Sequence, residues 1–263
     1  MANKYLAQEA APFGADVWAM LNAAMIEAAK SRLVGRRLLP VEGPFGLGLK
    51  AVPLQDGELE PGLSISPLLP VVAIREEFTL GARDLAAFEQ SGVPLDAGPV
   101  VAAAMACARR EDELIFHGVP GVPGLLHGEG ASTLSLGAWA EVGEAAEDLM
   151  RAVNLLDRAG FPGPYALALG PERYNRLFRL YPQGQLSELA HLAMMASEGI
   201  FKSPVLGDGG VLLAAAGSAA LVLGQDMSLG FIGPTGNGQL QLAVSETLTL
   251  RLLRPQAVCV LRG

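Results

Sequence analysis

Residues 47–80 limit what this chain can fold into more than any other stretch. Pro53, Pro61, Pro67 and Pro70 punctuate it, so no helix runs through it. Toward its end Val72, Ile74, Phe78 and Leu80 share one side of a period-two pattern, with Glu76 the exception; Arg75, Glu77 and Thr79 take the other. The pattern predicts a long two-stranded excursion with an exposed tip at residues 55–61, beginning with Gln55, Asp56, Gly57 and Glu58. Two strands bury too little apolar surface to stand alone, so such an arm needs a neighbour to lie on. Composition points the same way. Apolar residues make up 51% of the 263 and charged ones 17%, against about a quarter charged in an average globular chain. A chain this poor in charge has a large core or hides apolar surface against partners, a first sign of an obligate oligomer. Its length suits one large domain or two small ones.

Elsewhere the periodicity changes. Residues 18–33 predict a helix with Asp16 as cap and Gly35 as stop. Residues 99–117 give the strongest helix, with Val101, Ala104, Met105, Ala108 and Ile115 at helical spacing and Gly118 as stop. More helix is expected over 138–159, 172–180 and 187–197. Strands are expected within 163–170, where turn residues bound a short one, at 211–216, 219–223 and 257–261, and most clearly at 240–252, where leucine and valine alternate with polar residues. Helices and strands do not alternate regularly, so the class is α+β and not a doubly wound sheet.

Candidate chemistry is sparse. "GPFGLG" and "GPTGNG" space their glycines as GxxGxG, the reverse of a dinucleotide fingerprint, with no periodic helix after either, and read as turns. His117, His127 and His191 have no HExxH or CxxC beside them, so no metal site is expected. Glu111, Asp112 and Glu113 fan around a helix and read as a solvated or salt-bridged face. Cys107 and Cys259 read as buried, inert thiols, and Met194 and Met195 as core or subunit contacts. No nucleophile–base pair or GxSxG elbow exists, so no catalytic residue is expected. A net charge of −8 argues against a general nucleic-acid binder. No apolar run reaches membrane-span length and no signal-like segment opens the chain, so a cytoplasmic protein without nucleic-acid or membrane partners is expected.

"LVGRRLLPVEGPFG", "FTL", "EDELIFHG", "GLL", "GPYALALGPERY", "LGQDMSLGF" and "SETLTLRLLRPQAVCVL" occur in this order along nearly the whole chain. Together they resemble encapsulins, bacterial and archaeal shell proteins of nanocompartments once described as linocin-like bacteriocins. The resemblance implies the capsid fold of tailed phages such as HK97. The P-domain would take 1–46 as N-terminal helix and hinge, 81–129 with the spine helix, and 224–263 as return strands. The E-loop would take 47–80 and the A-domain 130–223.

It also implies a function: a shell subunit without catalysis, assembling with copies of itself into an icosahedral nanocompartment. Length suits shells of about 60 copies with T=1 symmetry, while "VPLDAG" and "EDELIFHG" also match builders of larger shells. The cargo would be a ferritin-like protein or a dye-decolorising peroxidase, hence iron storage or oxidative stress defence. Its C-terminal peptide would sit in a groove lined by Leu33, Arg36, Leu38, Leu39, Leu229 and Phe231, an extended apolar segment gaining avidity on an oligomeric cargo. Pro40 stands where relatives often carry an acid. Leu180, Tyr181, Pro182, Gln183, Gly184 and Gln185 would line a five-fold pore that filters small solutes by size with little charge selectivity. Arg83 lies where flavin-binding relatives place a tryptophan, so no flavin and no other cofactor is expected. The alternative is a phage or prophage major capsid protein. A peptidase or bacteriocin role lacks any supporting constellation.

Overall fold

The computed structural model describes residues 4–182, 184–215 and 217–263. Gln183 of the expected pore loop and Ala216 of one expected strand lie outside the described residues. The helices are α1 (Ala15–Lys30), α2 (Gly35–Leu38), α3 (Ala82–Ser91), α4 (Gly98–His117), α5 (Glu144–Arg158), α6 (Pro171–Arg176) and α7 (Glu188–Met195). The strands begin with β1 (Val41–Glu42), β2 (Ala51–Pro53), β3 (Gly57–Glu60), β4 (Leu63–Ile65), β5 (Leu68–Pro70) and β6 (Val72–Gly81). They continue with β7 (Gly118–Val119), β8 (Val122–Pro123), β9 (Ser132–Ser135), β10 (Tyr165–Leu169), β11 (Gly199–Lys202) and β12 (Gly210–Ala214), and end with β13 (Ala219–Pro234), β14 (Gln239–Leu252) and β15 (Val258–Arg262). A four-stranded sheet has the order β1-β13-β14-β6, and a five-stranded one β11-β10-β12-β15-β9. Helical and sheet segments are thus mixed as the α+β reading expects.

The chain divides into two compact units. The first comprises Met1–Leu33, Gly43–Glu111 and Leu223–Leu248. In it, α4 buries Val100, Ala103, Ala104, Cys107 and Ala108, a stripe of mostly small side chains. Position 111 continues that stripe by helical spacing, and Glu111 is fully buried. Strand β14 buries Leu240, Leu242, Val244 and Leu248, and its one acid in that series, Glu246, is buried with them and accepts from the Cys107 thiol at 3.4 Å. The expected solvated face at 111–113 is therefore corrected: an acid that falls on the apolar stripe goes inside with it. Glu76, the odd residue of β6, is matched by an ion pair with Arg110.

The second unit comprises Val34–Glu42, Asp112–Val222 and Thr249–Gly263. Every residue of β10 and β12 is buried, as suits central strands covered on both faces. Helix α5 lays Ala145, Leu149, Ala152 and Leu156 on a core shared with Leu167, Leu212 and Cys259. Gly170 is where the chain leaves β10 beneath a neighbouring turn; a Cβ there would stand 1.7 Å from the Gly207 carbonyl oxygen. Asp112, the second acid expected outside, is also buried. Its carboxylate accepts from the Gly35 and Val34 backbone N–H groups at 2.9 and 3.1 Å, satisfying the open end of α2. Gly35 thus opens a new helical turn, where the sequence suggested a stop.

Local signals at α1 also differ from expectation. Asp16 is not its cap. The N-cap is Gly14, whose N–H donates to Glu89 at 2.7 Å. Phe13, just before the cap, packs on Trp18 with ring centroids 5.0 Å apart, a hydrophobic staple that fixes how the chain enters the helix.

Candidate functional site

Three surfaces correspond to the expected sites, and each is built differently. The arm is the simplest. Strands β2 and β5 pair antiparallel and tuck Val52 and Leu69 inward. Beyond them β3 and β4 form a second hairpin in which no residue is buried. Its turn is at residues 61–62, so the tip is corrected: Gly57 and Glu58 belong to the ascending strand, while Gln55 and Asp56 precede it. The shift follows from the turn chemistry of Pro61-Gly62, with Gly62 at φ 85°. Leu59, Leu63, Ile65 and Leu68 are each about half exposed or more. Isolated exposed apolar residues are ordinary, but three on one narrow hairpin, with Leu68 just beyond it on β5, are a surface awaiting a cover.

The six expected groove residues divide between the two units. In the first, Leu33 is buried with Ala29 and Ala108 against Met227. Leu229 is fully buried, and its carbonyl accepts from Gln8 Nε2 at 2.7 Å. Phe231 is half-buried and meets Phe13 edge-on at 6.5 Å. In the second unit Leu38 and Leu39 are buried and Arg36 is half-buried. The exposed neighbour Arg37 lays its guanidinium 4.6 Å over the Phe201 ring. Phe13, Trp18 and Gln8 were missed in the sequence; the aromatic pair at 13 and 18 around a glycine cap was the signal available.

The loop after α6 is held from below by arginine. Arg173, Arg176 and Arg179 recur every third residue and reach the backbone of residues 137–141. Arg173 donates to Gly137 O at 2.5 Å and pairs with Asp208. Arg176 donates to Ala138 O. Arg179 donates to the carbonyls of Trp139 and Ala140, each at 2.9 Å, and pairs with the fully buried Glu188. Trp139 needs this restraint, because it adopts φ 54°, a left-handed conformation that costs a non-glycine residue about 1–3 kcal/mol. Its ring lies under Arg173 and its indole N–H donates to Asp148 at 2.8 Å. Above the base, Leu180 bridges to Ser187, Gly184 N donates to Tyr181 O, and the Tyr181 hydroxyl meets His191 Nδ1 at 2.7 Å. Ser187 caps α7 through Ala190 N. Leu180 remains more than half exposed.

Asp148 organises the same region. Burial works to raise its pKa, but hydrogen bonds from Arg151, Trp139 and the Gly137 backbone outweigh it and hold the carboxyl below its ordinary value. A depressed native value means that the charge stabilises the fold above the unfolded pKa of about 4 and loses that effect as pH falls through the native value. Asp148→Asn is therefore expected to melt below wild type near neutrality, with the gap closing in acid. Melting curves of both proteins from about pH 7 to about pH 3 check this.

Cys107 and Cys259 are free and buried. Burial, then Glu246, Glu111 and Glu76, push the Cys107 thiol far above its ordinary value. Burial alone raises Cys259 to about 11. His117 and His127 lie across a glycine turn with ring centroids 6.4 Å apart, and His117 Nε2 bonds Val205 O. Among the described residues no group of three or more His, Cys, Asp or Glu is arranged to hold a metal, and no helix is long and apolar enough to cross a membrane.

The family described as "Encapsulating protein for peroxidase" matches residues 3–249. A type 1 encapsulin shell protein of Myxococcus xanthus is 32% identical over 96% of this chain and 94% of its own length. Among solved structures, a virus-like particle from Pyrococcus furiosus superposes with a TM-score of 0.77 at 23% identity, covering 92% of this chain and 98% of that one. The capsid of the Myoviridae phage XM1 does so with a TM-score of 0.63 at 15% identity, over 88% and 91%. The fold is that of phage-type capsid subunits.

Proposed function

This chain belongs to the family of encapsulating shell proteins, and from that premise we propose that about 60 copies close into a T=1 icosahedral compartment that carries a peroxidase in the cytoplasm. Its role is structural: the subunit is a self-assembling shell, and the chemistry belongs to the cargo. The family's description as encapsulating protein for peroxidase supports a peroxidase, and a ferritin-like protein is the other cargo the sequence resemblance suggests. The observation that carries this reading is the hairpin of β3 and β4, apolar and uncovered on the single subunit. A closed shell gives every copy of it a neighbour, and each subunit touches several others, so modest contacts sum to a stable particle.

Within the shell, residues 1–46, 81–129 and 224–263 serve as the P-domain, 47–80 as the E-loop and 130–223 as the A-domain, with the loop at 180–187 at the five-fold axis. Its tip carries no charge, which suits a size filter for small solutes. The cargo's C-terminal peptide docks at Leu229 and Phe231. A phage capsid is not favoured, because likeness at 15% identity shows the fold alone, whereas family membership spans most of the chain.

The test is to purify particles from the native cells and identify their contents by mass spectrometry. Removing the C-terminal residues of the cargo is expected to empty the particles without changing shell yield. Cargo retained after that truncation contradicts peptide docking, and particles filled with DNA contradict the compartment itself.

A further inference from the structure

The stretch of β13 at residues 229–231 is already occupied, and its occupant is this chain's own N-terminal segment. Gln8 Nε2 donates to Leu229 O at 2.7 Å. The Leu6 backbone lies over Gly230, where a Cβ would stand 3.2 Å from the Leu6 carbonyl oxygen. Phe13 meets Phe231 edge-on. Three consecutive strand residues are thus engaged by residues 6–13. The grip is thin all the same. Residues 4–6 and 8–10 form only single 3-10 turns, Ala7 between them sits at φ 49°, and none of residues 4–13 is buried. Firm burial begins at Val17 in α1.

We propose that residues 4–13 are a resident, displaceable occupant of the peptide site, and that a targeting peptide reaches Leu229 and Phe231 only by displacing them. The inference rests on the reading that these two residues line that site. A segment tethered to its own site is present at high effective concentration. It therefore lowers the apparent affinity of a free peptide by the fraction of subunits in which the site is open. The competitor is defined by what it must replace: an extended apolar peptide with a hydrogen-bond donor for Leu229 O, a small or aliphatic contact over Gly230, and an apolar side chain on the Phe231 ring. Opening by the cargo peptide restricts loading to partners that supply all three, and unloaded shells keep the apolar strand covered.

The test uses the segment itself as the probe. A monomeric fluorescent protein carrying KYLAQEAAPF, residues 4–13 of this chain, at its C-terminus is co-expressed with the full shell protein, with its Gln8→Ala variant, and with a form lacking residues 2–10. Fluorescence per shell subunit is read on purified particles, with the untagged fluorescent protein as control. Loss of the Gln8 bond is expected to raise retention about threefold, and removal of the segment about tenfold or more, with the control unchanged. Should the deletion fail to assemble, Gln8→Ala, which removes one bond from an unburied side chain, decides alone. Equal retention in all shells, retention lowered by opening the segment, or no retention anywhere overturns the inference. None of these outcomes alters the effect of trimming the cargo's own C-terminus, so the two readings fail separately.

Discussion

Replacing Leu63 and Ile65 by aspartate is expected to yield a folded subunit that no longer closes into shells. Both side chains are about half exposed on β4, and none of the hairpin of β3 and β4 is buried within the subunit. The substitutions therefore remove only peripheral intramolecular packing, and the melting temperature of the subunit is expected to stay near that of wild type. In the proposed shell the same side chains lie on a neighbour. Fully burying an exposed leucine or isoleucine contributes roughly 1.5–3 kcal/mol; these two are already half covered, so together they are worth about 1.5–3 kcal/mol at every copy of the contact. Burying a carboxylate in their place adds a desolvation cost. Each 1.4 kcal/mol is about a tenfold change in an equilibrium constant, and closure needs every contact, so the loss is expected to be complete. Size-exclusion chromatography and sedimentation velocity measure it directly. Glu58→Gln and Glu60→Gln on the same hairpin, already solvated, are the matched controls and are expected to assemble. Shells at wild-type yield from the double aspartate variant contradict the role given to the arm.

Arg179→Ala is expected to be the most damaging single substitution in the second unit. It strips two carbonyl bonds from the Trp139–Ala140 segment and leaves Glu188 buried without its cation. Breaking a buried pair from one side costs about 3–5 kcal/mol, because the remaining charge stays out of water. The left-handed Trp139 also loses part of what holds it in place. The effect is expected to reach the loop above, since Leu180 and Ser187 join directly over this pair and Glu188 N donates to Arg179 O. Hydrogen exchange over residues 177–192 is expected to speed up, and the melting temperature to fall by several degrees. Arg179→Lys keeps the charge but not the planar fork that reaches two carbonyls and a carboxylate together, and is expected to fall between. An alanine variant with unchanged melting and exchange contradicts the anchoring role.

What the sequence revealed, and what it hid, follows a physical line. Periodic elements were readable: α4 and β14 were located to within a residue or so because their burial repeats at one fixed period. The arm was readable because proline excludes the alternatives, although its turn, Pro61-Gly62, lies at the far end of the expected tip at 55–61 and not at Gln55–Glu58. Buried acids were not readable. Glu111, Asp112 and Glu246 look solvated by type, and only the helix ends and strands that surround them show why they are inside. The reach of β13, sixteen residues where five were expected, escaped notice because glycine and aspartate interrupt its apolar pattern at Gly224, Asp226 and Gly230. At the proposed peptide site, Leu229 and Phe231 came from resemblance, while the segment lying on them has no periodicity to betray it.

The hairpin at 57–65 gives the most direct test of the whole reading. Electron cryomicroscopy of the purified protein is expected to show closed shells in which that hairpin lies against a neighbouring copy, with Leu59, Leu63 and Ile65 covered. A folded 27.4 kDa monomer as the stable species, or shells whose hairpins project bare into solvent, would contradict it.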